Sequence, residues 1–447
     1  MKFASAAVLI PSQAFLEGQV DVTLNPRKIV QLLTDSGLEV KKVTVLEEDV
    51  HQLAGELQTF TQLYDIVIVV LNGDTQCASQ ALANITSQEV SRFTDQLWPK
   101  AVKLLRAEAV PPVIYFQRIF IVTAAAIDDQ LNLILKRHIQ QYSKEPLYSK
   151  QFQVIVNGNR KHIEALSTDL LSVSFGSPTN ADNEGCTSIT LKAKDFESVV
   201  KGEIYLRNLL GQNMLASKLL DDGTDLIYQS EDEHIRQSIL VVERCLDDYG
   251  IDNVFLSFNG GKDCTVLLHL VHTVLCRKYP NVKDQKKLFC LYVRSENTFH
   301  EQDEFIEQCL IYYNLEIMSV TANIKDALRI TISKKPHLKA CFMGTRRTDP
   351  FCSHLNAFQM TDSDWPEIMR CSPFLDWHYS DIWDYLLYYK VPYCKLYDYG
   401  FTSLGNTTNT IRNPSLICAE SDKDIYLPAY KMLREKNERS GRNVSKM

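Results

Sequence analysis

Three stretches of this 447-residue chain combine residue types that could do chemistry. In the first, Phe258-Asn259-Gly260-Gly261-Lys262-Asp263-Cys264 follows the apolar run Val254 to Ser257. It precedes Val266, Leu267, Leu270, Val271 and Val274, which have helical spacing. Strand, glycine turn and helix are the layout of an anion site. Gly260 and Gly261 let backbone amides approach phosphate oxygens, the helix N-terminus adds partial positive charge, and Lys262 adds a full one. In the second, Gly344-Thr345-Arg346-Arg347-Thr348-Asp349-Pro350, two adjacent guanidinium groups offer planar donors that suit phosphate. Asp349 could orient a ligand or hold Mg2+. Such a loop is as often solvated as functional, and its place beside the glycine loop is what favours function. The third, residues 372–405, is dense in aromatic rings from Trp377 to Tyr399. Ile382, Tyr385, Leu386 and Tyr389 have helical spacing and read as core, whereas the loop from Asp398 through Tyr399 to Gly405 could line a flat ring system.

Two familiar glycine loops do not fit the first stretch. A Walker-type loop needs Ser or Thr after Gly-Lys, but Asp263 follows Lys262, and the dinucleotide fingerprint needs a third glycine that is missing. The stretch resembles the pyrophosphate loop of the ATP pyrophosphatase superfamily, with Asn259 and Cys264 in place of that loop's two serines. That resemblance implies cleavage of ATP between the α- and β-phosphates. It leaves the acceptor open.

The elements around these stretches predict a doubly wound α/β domain. Apolar strands at 254–257, 288–295, 315–320 and 340–346 alternate with helices at His234–Asp248, 300–313 and 323–334. Ligands of such sheets sit beyond the carboxyl ends of the strands, which is where the glycine loop and the arginine loop fall.

Upstream, residues 1–145 also alternate strand and helix: Ala6–Ile10, a helix after Asn25 with Gly37 as its C-cap, 40–46, a helix over Val50–Phe60, 65–71 and a strand at 116–124. The pattern predicts a three-layer α/β domain with a largely parallel sheet. The run ending at Ile10 is interrupted by Ser5 and stopped by Pro11, and so reads as a first strand rather than a signal peptide. Residues 146–218 read as a small α+β unit with a Ser/Gly/Asn-rich mobile loop at 174–185, and residues 219–232 as a linker to a domain at 233–447. The formal net charge of −7 disfavours a general nucleic-acid binder, and no apolar run approaches the ~18 residues a membrane span needs. The 12 cysteines form no C-x-x-C pair, which fits reduced thiols of the cytoplasm, or of an organelle, better than zinc or dithiol redox chemistry.

The N-terminal order of elements resembles the molybdopterin-binding fold. In that family the first strand runs into Gly-Asp-Glu and a later one into Gly-Gly-x-Gly-Pro-Thr. This chain has Pro11-Ser12-Gln13 and Asn72-Gly73-Asp74-Thr75-Gln76. The departures remove the groups that would hold a metal and a phosphate, so no hydrolase activity is expected there and Asp74 reads as a turn residue. From 235 to 443 the resemblance is to the eukaryotic FAD synthase (FMN adenylyltransferase) family. It is carried by the glycine loop, Met343–Pro350, Pro373-Phe374-Leu375-Asp376-Trp377, 381–386, 391–405, Arg412-Asn413-Pro414, Pro428-Ala429-Tyr430 and Glu438-Arg439-Ser440-Gly441-Arg442.

That resemblance implies FMN + ATP → FAD + pyrophosphate with Mg2+. It implies that Ser257, Asn259, Gly260, Gly261, Lys262 and Asp263 would hold the ATP phosphates together with Arg346 and Arg347, that Asp349 would sit at the reaction centre as a candidate metal ligand, and that Arg439 and Arg442 would close over phosphates. Asp376, Trp377, Tyr399 and Arg412 would shape the flavin and nucleotide pockets. The chemistry needs no protein nucleophile, because the phosphate of FMN, with a second pKa of ~6, attacks for itself. The expected partners are ATP and FMN, with apo-flavoproteins as recipients and self-association through the N-terminal domain. Every candidate site residue lies beyond 233, so residues 233–447 alone are expected to make FAD. The rival readings are a sulfonucleotide reductase, which would want a catalytic cysteine that the solitary Cys418 does not match, a tRNA-thiolating enzyme, and a scaffold without catalysis.

Overall fold

The computed structural model of the chain describes residues 4–17, 26–88, 90–93, 96–143, 145–156, 158–176, 186–220, 224–279, 287–418 and 425–442. Residues 177–185 of the loop expected at 174–185 lie outside them. So do residues 221–223 of the expected linker.

The first sheet has six strands in the order Leu38–Leu46, Ala4–Pro11, Ile66–Leu71, Ile119–Thr123, Val110–Phe116 and Lys103–Ala107. The first four run parallel, Val110–Phe116 runs against them, and Lys103–Ala107 pairs antiparallel with Val110–Phe116. Alternate residues serve two interiors: Ala6, Val8 and Ile10 pack on one face, Ala7 and Leu9 on the other. Burial on both faces explains why these strands read as continuous apolar runs. The expected single strand at 116–124 is instead the tip of a hairpin. Gln117 and Arg118 both take left-handed backbone angles, φ +44° and +66°, and without glycine or asparagine they gave no turn signal. Asp74 accepts the Gln76 amide at 2.8 Å at the start of a helix, a turn residue's role.

The second sheet is antiparallel, in the order Leu171–Phe175, Cys186–Ala193, Tyr148–Ile155 and Met214–Leu220, with the helix Phe196–Leu210 against it. Within 219–232, Leu219 and Leu220 still belong to a strand, and Thr224–Tyr228 is a short helix. One apolar core runs from Phe152 and Leu206 through Leu267 and Phe305 to Trp383 and Met432, so this unit shares its interior with the C-terminal sheet. A buried ion pair, Lys150 to Glu203 at 2.7 Å, marks the seam, and Lys150 also donates to the Ile311 carbonyl at 2.8 Å.

The third sheet runs Glu316–Val320, Phe289–Val293, Val254–Ser257, Ala340–Phe342, Met369–Cys371 and Phe358–Met360, parallel except for the last strand. From Val254–Ser257 the chain winds outward through two strands and then returns to the opposite side at Ala340. The order therefore reverses between Val254–Ser257 and Ala340–Phe342, and such a switch point opens a crevice at the carboxyl ends. Leu256 and Phe255 face separate cores on the two sides, so the domain is doubly wound. Among the described residues no helix is long and apolar enough to cross a membrane.

Candidate active site

The glycine loop leaves the switch-point strand and enters the helix Lys262–Lys278. Gly260 adopts φ +70°, where a side chain would be strained and would also press on Ile306. Asn259 turns its Oδ1 back to accept the Gly261 amide at 2.9 Å and the Cys264 thiol at 2.6 Å. The Tyr397 hydroxyl takes the Lys262 amide at 2.8 Å. The amides of Asn259 and Gly260 donate to nothing among the described residues, which leaves them for an anion. Burial above all pushes the Cys264 thiol up to about 11, so it is protonated and unreactive at neutral pH.

Lys262 and Arg346 do not fit their expected place on phosphate. Their side chains are 2% and 1% exposed and sit in a carboxylate nest. Glu438 accepts the Arg346 guanidinium through both oxygens, at 2.7 and 2.6 Å, and pairs with Lys262. Asp263 bridges the same two cations, 2.9 Å from Arg346 Nε and 3.0 Å from Lys262 Nζ. Glu435 adds a longer contact to Arg346 at 3.4 Å. Two buried cations met by three carboxylates have no charge to spare for a ligand; unpaired, they would be very costly to bury. Burial pushes the Asp263 pKa up, but Arg346 and Lys262 outweigh it and hold the group below the usual carboxylate range. Asp263 is therefore an ionised tie within this nest.

The nest fixes the tail 435–442 against the glycine loop, and the tail brings two other arginines with it. Arg439 is 49% exposed and touches Asp349 Oδ1 at 3.1 Å, while Asp349 Oδ2 closes its own loop on the Arg346 amide at 2.9 Å. Arg442 is half-buried against Gly405, where an added Cβ would overlap its guanidinium. Burial first, and then Arg439, lowers the Arg442 pKa, so the two guanidiniums disfavour each other and an anion between them would relieve both. Arg442 has no carboxylate partner among the described residues.

The remaining expected residues divide. Arg347 donates to Asp376 at 2.6 Å and to the Ser353 and Leu355 carbonyls, tying together two loops at the crevice; Asp376 is 70% exposed. Ser257 ends the strand and contributes backbone. Tyr399 is half-exposed, and the exposed Arg412 lies over the Tyr426 ring at 5.4 Å. Trp377 does not line a pocket at the loop. It is buried, donates its indole N–H to Ser238 at 3.0 Å, packs on Phe374 and edges the cavity beside the helix Tyr379–Tyr388.

Four contributors were given no role in the sequence. Glu438 and Glu435 build the nest, Tyr397 caps the loop, and buried Asn413 donates to Thr402 and to the Asn437 carbonyl, both at 2.7 Å. Thr402 in turn donates to the Glu438 carbonyl at 2.6 Å, which ties the 400–405 loop to the tail. Glu438 heads the run that carries Arg439 and Arg442, and that adjacency was the available signal. A cavity of about 710 Å3 lies elsewhere, between the strand Lys103–Ala107 and the helix Tyr379–Tyr388, away from the loop.

Comparison with known proteins gives the following likenesses. The phosphoadenosine phosphosulfate reductase domain family matches residues 253–337 and 323–412. A probable FAD synthase of Caenorhabditis elegans is 28% identical over 93% of this chain and 74% of its own length. A probable FAD synthase of Schizosaccharomyces pombe is 38% identical over 46% of this chain and 77% of its own length. Among solved structures, Candida glabrata FMN adenylyltransferase in complex with FAD and inorganic pyrophosphate is 28% identical, with 50% of this chain and 94% of that one covered and a TM-score of 0.45.

Proposed function

The chain belongs to the FAD synthase family, and from that premise we propose how it joins its two substrates. The reaction moves AMP from ATP to FMN and releases pyrophosphate. An oxygen of the FMN phosphate bonds to the α-phosphorus of ATP, and the bond from that phosphorus to the bridging oxygen breaks. The electron pair leaves with pyrophosphate. No side chain is consumed.

Charge must be neutralised on the departing pyrophosphate, and two phosphates that repel must be held in line. We assign the first task to the amides of Asn259 and Gly260, the N-terminus of the helix Lys262–Lys278, and the guanidiniums of Arg439 and Arg442. Oriented donors in a partly dry crevice need no reorganisation as charge develops. Lys262, Arg346, Asp263, Glu435 and Glu438 are positioning residues that fix the loop and the tail against each other. Asp376, Tyr399 and Arg412 are the groups we assign to the flavin side, with Arg347 holding Asp376 in place.

Among the described residues no three Asp, Glu, His or Cys side chains cluster as a metal site. A single carboxylate still fits Mg2+, which keeps waters and takes substrate phosphate oxygens as ligands. Asp349 is the residue we assign to it, and the ion would supply further charge neutralisation at the phosphates. The sheet domain at 4–143 lacks the acidic and glycine residues of a phosphate hydrolase, which supports a role without catalysis. Free thiols at all 12 cysteines support a reducing compartment, and the cytoplasm is the one we propose.

The observation that carries this reading is the pairing of Glu438 with Lys262, which fastens the run that holds Arg439 and Arg442 to the glycine loop at the sheet's switch point. Purified full-length chain with FMN, ATP and Mg2+ should give FAD and pyrophosphate in equal amounts by chromatography. Unchanged FMN with a folded protein would overturn it.

A further inference from the structure

The tail that carries Glu435, Glu438, Arg439 and Arg442 is approached through residues 428–434, and this approach segment is held by the N-terminal sheet domain. Lys431 Nζ donates to the Thr61 carbonyl at 2.9 Å and to the Tyr64 carbonyl at 2.5 Å. Those oxygens lie at the carboxyl end of the helix Val50–Leu63. Arg434 Nε donates to the Ile85 carbonyl at 3.3 Å, in the last turn of the helix Gln76–Thr86. The final carbonyls of a helix have no partner within it and carry the negative end of its dipole, which suits N–H donors seated there. Burial above all, and then Arg118, pulls the Lys431 pKa down to about 7, so its seat rests on the two donated hydrogen bonds. Between Lys431 and Arg434, Leu433 packs into the core beneath these helices, and Gln117 donates to the Met432 carbonyl at 3.4 Å.

The same domain reaches the tail by a second route. Lys103 pairs with Asp381 at 2.7 Å, and Asp381 accepts the His378 amide at 2.7 Å. His378 contacts Glu435 at 3.0 Å, and Glu435 accepts the Tyr379 amide at 2.8 Å. Beyond Arg434 the chain makes consecutive tight turns, Asn437 to Arg434, Glu438 to Glu435 and Arg442 to Arg439, each closed at 2.9 Å. A shift at Arg434 therefore has no slack in which to dissipate before Arg439.

We propose that the N-terminal sheet domain is a built-in positioning partner for FAD synthesis: it seats Lys431 and Arg434 on two helix ends and thereby sets where Arg439 and Arg442 stand over the phosphates. The inference rests on the reading of those arginines given above. Lys431 and Arg434 touch no reacting atom and act through the tail alone. Misplacement of a reacting group by ~1 Å can cost up to ~100-fold in rate, so a loosened tail should lower kcat more than it weakens binding.

The test uses the full chain. Lys431→Met should lower kcat about tenfold with KM for FMN kept within about twofold, and should speed amide exchange across 435–442. Lys431→Arg, which can still donate to two carbonyls, should restore both. If Lys431→Met does not fold, Arg434→Met is read in the same way. A kcat within about twofold of the parent, or a loss that Lys431→Arg does not restore, would overturn the positioning role. Arg439→Ala, run in parallel, separates the two readings. Full turnover there removes the tail from the reaction itself, whereas loss there with normal turnover in Lys431→Met removes only the N-terminal domain's part.

Discussion

Glu438 and Lys262, 176 residues apart in the chain, form a buried ion pair that fastens the C-terminal tail to the first turn of the glycine-loop helix. Arg346 completes the knot on the same carboxylate. Removing one partner of a buried pair leaves the others uncompensated, at a cost of about 3–5 kcal/mol. Glu438→Ala should therefore lower the urea unfolding free energy by about 3 kcal/mol and abolish turnover, and Glu438→Gln should do less harm. Unchanged stability in Glu438→Ala would show that the tail is held by something else. Asp263→Ala should likewise cost stability as well as activity, because the carboxylate ties Arg346 to Lys262.

Arg439 should behave differently. Its guanidinium is half-exposed with Asp349 as its one carboxylate partner among the described residues, so the fold does not depend on it. Loss of a donor used in the transition state costs about 10²–10³ in turnover. Arg439→Ala should therefore lose about 10² in kcat with its melting temperature unchanged. A lowered melting temperature in step with activity would make it structural.

Gly405 gives a test that removes no charge. A methyl group there would overlap the Arg442 guanidinium, and the loop that carries Gly405 is fixed by Thr402 to Glu438 and by Asn413. The loop cannot yield cheaply but the guanidinium, at the end of a flexible side chain, can swing away, so Gly405→Ala should displace Arg442 and raise KM for ATP several-fold. Normal ATP kinetics would place Arg442 outside the nucleotide site.

Much of the chemistry was legible because it is local. Strand, glycine turn and helix repeat within 25 residues, and two periodicities identify them. The nest was not legible. Glu438, Lys262 and Arg346 look in sequence like any surface charges, and only the fold brings a glutamate near the C-terminus to a lysine in the loop. The strands Phe358–Met360 and Met369–Cys371 are three residues each, too short to show a period. Trp377 was placed at the pocket by resemblance alone, and no local pattern could show that its indole is buried against Phe374 and donates to Ser238. The expectation that residues 233–447 suffice rested on active-site candidates alone. The core shared with residues 148–220 and the tail seated on the N-terminal helices argue that a cut at 233 exposes apolar surface and frees the tail.

The junction between the first and last domains should respond to pH. Asp384 accepts the Tyr115 hydroxyl at 2.8 Å, and burial, aided by Asp381, raises its pKa to about 7 against the pull of Lys103 and Tyr115. An unfolded aspartate releases its proton near pH ~4. Between pH ~4 and about 7 the folded chain thus binds more protons than the unfolded one, and Asp384 takes stability away as pH rises through that window. Asp384→Asn should flatten this part of the stability profile, as read by urea unfolding at several pH values. An unaltered slope would mean that Asp384 is ionised in the folded chain below pH 7.

Direct transfer, with FMN as its own nucleophile, is tested most directly by the configuration at phosphorus. ATP carrying sulfur at the α-phosphate in one known configuration can be converted by the full chain, and the product FAD analysed by phosphorus NMR. A single in-line displacement predicts inversion. Retention would mean two displacements through an adenylylated side chain, and would contradict a site that works by position and charge alone.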